Sequence, residues 1–184
     1  ALFNFIFLGT EYLFDGMIAY FTDNAGVVNA QNQILGASVA GFIIYSFIDK
    51  IISDQKARRI IYFVENILAC LLVFFIMLHK SYLMVMLSGM ILFVILGILG
   101  ARVCYLISVN ITERSYLARF IGIAYALGIF IQFVNNNLVK TDSIQGCIII
   151  FLTVVFAVVL SRIQFLDEEV IKTENDSDGE KRKS

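Results

Sequence analysis

The chain is 184 residues long with a formal net charge of −1; 59% of it is hydrophobic, 16% is charged, and its mean hydropathy is +0.84. These values lie far outside the usual range of soluble domains and exclude an ordinary water-exposed protein surface. The chain reads as an all-α, polytopic membrane protein.

Six long apolar runs, near 1–21, 30–52, 60–78, 83–110, 117–138 and 143–164, predict six transmembrane helices within a domain spanning 1–165. Each run covers a hydrocarbon core of roughly 30 Å at a helical rise of about 1.5 Å per residue. In the first run, Asn4, Glu11, Asp15 and Thr22 project within about 40° of one another. That stripe must avoid lipid, because a charge in hydrocarbon costs at least ~2.5 kcal/mol and is kept only where it pairs or meets water. The same acids, with no basic segment before them, argue against a secretory signal peptide.

In the second run, Gly36, Ala37, Ala40 and Gly41 read as a small-residue packing face. A basic stretch with Lys50, Lys56, Arg58 and Arg59 follows. Glu65 and Asn66 fall about one turn into the third run, where they satisfy nearby loop groups. The single histidine, His79, stands alone in the next connection, so no metal or cofactor is expected. Cys70, Cys104 and Cys147 are odd in number and imply no disulfide framework. Proline is absent, so any helix break or close crossing must rely on glycine, and the fourth run supplies Gly89, Gly97 and Gly100.

The fourth run also holds Arg102, the candidate cation for Glu11 and Asp15. Counted inward from the cytoplasmic ends, Glu11 lies about ten residues deep and Arg102 about eight, a difference of ~3 Å. Two acids competing for one arginine leave one carboxylate poorly compensated, and such a group can couple protonation to substrate binding. The plainer reading is a fixed ion pair that only orients helices. In the fifth run, Tyr125 and Gln132 are seven apart, share a face, and can offer hydrogen bonds to a ligand. Residues 166–184 turn abruptly acidic and polar, which predicts a disordered cytoplasmic tail or interdomain linker.

Lysine and arginine concentrate in alternate connections: after the second run, at Arg114 and Arg119 after the fourth, and from Arg162 onward after the sixth. The positive-inside rule then places both termini in the cytoplasm of a cell, with 22–29, 79–82 and 139–142 facing outward across the plasma membrane.

With six spans, cytoplasmic ends and a basic loop after the second span, residues 1–170 resemble the amino-terminal half of a major facilitator superfamily transporter. The family's loop signature has the form Gly-x-x-x-Asp-(Arg/Lys)-x-Gly-(Arg/Lys)-(Arg/Lys). Here Asp54-Gln55-Lys56-Ala57-Arg58-Arg59 resembles its second part, with Ala57 for glycine and Lys50 where the first glycine would stand. Arg102 resembles the arginine often found in the family's fourth helix, although Tyr105-Leu106 replaces the Gln-Gly that commonly follows it.

The resemblance implies two three-helix inverted repeats whose first helices line a central cavity. It also implies an inward gate at Asp54 with Arg58 or Arg59, and a second six-helix half, fused in a parent chain or supplied by dimerisation. The expected function is secondary transport of a small molecule by alternating access, with Glu11 or Asp15 carrying a coupling proton. Arg102 would act as countercharge or substrate anchor, and Tyr125 and Gln132 as further ligand contacts. The lipid bilayer, the substrate, protons and the second half are the expected partners. No enzyme chemistry is expected, and no nucleic-acid-binding domain fits within the chain. The competing class is a non-transporting membrane sensor of a transcriptional regulator, whose helical modules the stretch from Gly122 through Asn137 loosely resembles.

Overall fold

Short connections join six helices in the computed structural model, which describes residues 1–51, 55–111 and 114–181. They are α1 (Leu2–Ile18), α2 (Asn24–Ile51), α3 (Gln55–Leu78), α4 (Tyr82–Asn110), α5 (Arg114–Leu138) and α6 (Asp142–Lys181). Local chemistry sets several ends. Asp23 accepts from the Gly26 N–H at 2.9 Å at the start of α2, and Ser81 caps α4 by accepting from Met84 N–H at 3.3 Å. α3 stops at His79, whose φ of 30° is left-handed and whose N–H returns to the Ile76 carbonyl at 3.1 Å.

α1 and α4 form the centre. α4 is apolar around its whole circumference and is the most enclosed of the long helices, as an all-round hydrophobic helix must be. α1 touches every other helix; α2 lies along α4, α3 along α4 and α6, and α5 and α6 flank α1. Phe14, Leu13, Ile6 and Met17 of α1 meet Phe93, Leu92 and Leu96 of α4, with Ile34, Ile76 and Ile149 closing the core. Phe7 and Phe93 pack edge to face with centroids 5.2 Å apart, a favoured aromatic geometry.

Glycines fix the close crossings. A Cβ at Gly41 would strike the Val94 carbonyl, and one at Gly97 would strike the Ser38 carbonyl, so α2 and α4 approach backbone to backbone. Of the predicted small-residue face, Gly41 therefore makes the contact, whereas Gly36 faces open space. Gly89 receives the Phe14 ring and Gly100 the Phe3 ring, which sets α1 antiparallel to α4. At one end of the bundle, the Tyr20 ring stacks on His79 at 5.1 Å, and its hydroxyl donates to Asp142 Oδ2 at 3.4 Å. Three connections are thereby drawn together.

Among the described residues, five helical segments are long and apolar enough to cross a membrane: Asn24–Ile48, Ala57–Leu78, Tyr82–Asn110, Tyr116–Leu138 and Asp142–Arg162. The six-span, two-repeat architecture is corrected on this point. α1 has 17 residues, or roughly 25 Å of helix, because it ends at Ile18, before Tyr20 and Phe21. The two pairings that a faithful repeat would make alike, α2 with α4 and α1 with α5, also differ greatly in extent. The all-α class stands. α6 continues as helix to Lys181, through the stretch expected as a tail; its sequence has neither proline nor, between Gly146 and Gly179, any glycine to interrupt it.

Candidate functional site

One turn of helix separates Glu11 from Asp15, so α1 presents both carboxylates on one side. They open onto a groove of about 350 Å³ completed by Tyr12, Gln31 of α2, and Gln132 and Asn136 of α5. Gln31 Nε2 donates to Glu11 Oε1 at 2.6 Å. Asn136 Oδ1 accepts from Gln132 Nε2 at 2.7 Å and from Gln145 Nε2 of α6 at 3.4 Å. Gly9 makes room for this network, since a Cβ there would lie 3.0 Å from Gln132 Oε1. After these bonds, the buried atoms Asp15 Oδ1 and Gln132 Oε1 have no donor. Both are acceptors, and an unmatched buried acceptor carries a desolvation cost that a proton or a ligand N–H group removes.

Arg102 lies elsewhere. It is 2% exposed, its guanidinium carbon sits 3.2 Å from the centroid of the Tyr62 ring, and its Nε–H has no acceptor. Glu65 of α3 is the acid whose charge acts on it. Arg102 borders a recess of about 400 Å³ shared with Arg59, Asn66, Ser161 and Arg162, between α3, α4 and α6. Asn66 donates to the Tyr62 carbonyl at 2.7 Å and keeps its own Oδ1 unpaired.

Comparison with protein-family models, curated proteins and solved structures returns no match.

The helix register explains why the acids and the arginine separate. Phe14 faces Gly89 and Phe3 faces Gly100, so Arg102 is level with the start of α1 and Glu11 is level with Leu92. Ten residues of helix, roughly 15 Å, lie between those levels. Counting inward from the apolar-run ends carries no information on how far α1 and α4 slide past each other, which the Phe14–Gly89 and Phe3–Gly100 contacts fix. Of the expected site residues, Glu11, Asp15 and Gln132 converge, while Arg102 lies over the Tyr62 ring within electrostatic reach of Glu65. Tyr125 is 53% exposed and lines neither cavity. Asp54 lies outside the described residues; Arg58 and Arg59 begin α3, with Arg59 in the arginine recess. Sequence reasoning passed over Gln31, Asn136 and Gln145 as site residues. Their signal was the amide itself, a costly group in an apolar stretch, but partners on three other helices are needed to give it meaning.

Glu65 and Asn66 were expected to serve nearby loop groups. Their place beside Arg102 corrects this, because α3 turns that face toward α4.

Proposed function

We propose that this chain is the transport module of a secondary, alternating-access transporter of the major facilitator type, in which a proton and a small-molecule substrate meet at the Glu11–Asp15 groove. The observation that carries the reading is the surplus of acceptors there: two carboxylates on one face of α1, with Asp15 Oδ1 and Gln132 Oε1 undonated. Glu11 is held by Gln31, which leaves Asp15 as the group to take up and release a proton. The placement of Arg102 at another level supports a donor from outside the protein. The groove is open along the edge formed by Tyr12, 48% exposed, and Phe133, 64% exposed, where a second helical half would close it. The partial loop signature at Asp54–Arg59 supports the same family reading.

The test is flux in proteoliposomes carrying the intact protein, with an imposed pH gradient. Glu11→Gln combined with Asp15→Asn is expected to lower proton-driven flux roughly a hundredfold or more, the scale of losing one well-placed proton-transfer group, while substrate exchange without net proton movement persists. Unchanged pH-dependent flux at an equal level of folded protein would sink the coupling role. Ligand binding without flux in the unsubstituted protein would favour a sensor.

The proposed setting is the cell membrane, with the start of α3 on the cytoplasmic side. With Cys70, Cys104 and Cys147 replaced, Ala57→Cys should react with a membrane-impermeant maleimide only after the cells are opened. Labelling in intact cells would reverse the orientation.

A further inference from the structure

We propose that the arginine recess binds the phosphate headgroup of an anionic phospholipid, one of whose acyl chains lies in the apolar furrow between α3 and α6. Independently of what occupies the α1 groove, two cavities meet here. The recess carries Arg59, Arg102 and Arg162, and among the described residues no carboxylate lines it. The furrow, about 490 Å³, shares Phe63, Asn66, Ala157 and Ser161 with the recess and continues along Ile67, Leu71 and Val154. α3 and α6 run antiparallel here: Met77 covers Gly146 at one end, and Tyr62 lies near Ser161 at the other. The furrow therefore runs along the helices, from the arginines toward the middle of the apolar spans.

Charge and shape select the same occupant. Arg102 is almost wholly buried with an undonated Nε–H, and Arg59 and Arg162 stand at the rim, so a phosphate meets that donor within the positive field of three guanidinium groups. A free phosphate would leave the furrow bare, whereas Phe63, Ile67, Leu71 and Val154 are exposed apolar surface that an acyl chain covers. Basic clefts between spanning helices are suited to anionic headgroups, each arginine near the surface adding roughly fivefold to affinity.

The chain has no tryptophan, so Phe63→Trp places a single tryptophan, excited selectively over the tyrosines at the red edge of its absorption, at the junction of recess and furrow. The full chain carrying that substitution is reconstituted into phosphatidylcholine vesicles containing either dibrominated phosphatidylglycerol or dibrominated phosphatidylcholine. Quenching should favour the brominated phosphatidylglycerol, and Arg59→Gln and Arg162→Gln should each reduce the preference by roughly fivefold. Arg119→Gln, which removes an exposed charge at the start of α5, should leave it unchanged. Equal quenching by the two lipids overturns the proposal. So does an equal loss with Arg119→Gln, which would indicate only a general surface potential. Displacement of the phosphatidylglycerol by millimolar inorganic phosphate would assign the recess to a free anion and overturn the lipid.

Discussion

Gly97→Ala is expected to destabilise the protein by roughly 1–3 kcal/mol, although alanine is the better helix former. The added methyl group meets the Ser38 carbonyl of α2, a backbone atom that cannot rotate away. Gly41→Ala should behave alike through the Val94 carbonyl, because the two glycines face each other across one crossing. The controls are Gly36→Ala and Gly122→Ala, whose new methyl groups meet nothing within 4 Å. These should gain up to about 1 kcal/mol from helix propensity alone. Thermal unfolding of the purified protein in detergent measures all four, and the opposite sign for the two pairs is the expected result. Equal effects at Gly36 and Gly97 would mean that α2 and α4 do not cross at these residues.

Arg102→Ala should cost about 3–5 kcal/mol, because it leaves Glu65 partly buried without its countercharge and removes the cation from the Tyr62 face. Glu65→Gln introduced into that variant is expected to recover roughly 2 kcal/mol, while Glu11→Gln recovers nothing. This contrast separates the Arg102–Glu65 proximity from the pairing expected from apolar-run depths. Arg102→Lys keeps the charge but loses the flat guanidinium over the ring, a smaller loss of roughly 1 kcal/mol. Recovery with Glu11→Gln instead of Glu65→Gln would show that the arginine serves the α1 acids.

The two halves of the polar chemistry were unequally legible. Glu11 and Asp15 declared themselves, since acids four residues apart in an apolar helix share a face under any packing arrangement. Gln132 was found for the same reason, as a polar group in an apolar run. Gln31, Asn136 and Gln145 were missed because an amide has no fixed partner in the sequence; only the approach of α2, α5 and α6 to α1 makes them a network. Glu65 was read as a loop neighbour because its position near a helix start is local information, whereas its closeness to Arg102 depends on how α3 is rotated against α4.

Composition and periodicity by themselves determined the helical class, the presence of apolar stretches long enough to cross a membrane and the polar stripe of α1, because an apolar helix satisfies its own backbone. They also placed glycine where helices could come close. The tertiary structure alone decided that Gly41 and Gly97 meet while Gly36 does not, and that α1 ends at Ile18 instead of continuing to residue 21. It alone separated the acids from Arg102. The physical reason is register: every apolar run permits its helix to slide and rotate against its neighbours, and only side-chain contacts such as Phe14 on Gly89 and Phe3 on Gly100 stop it at one position.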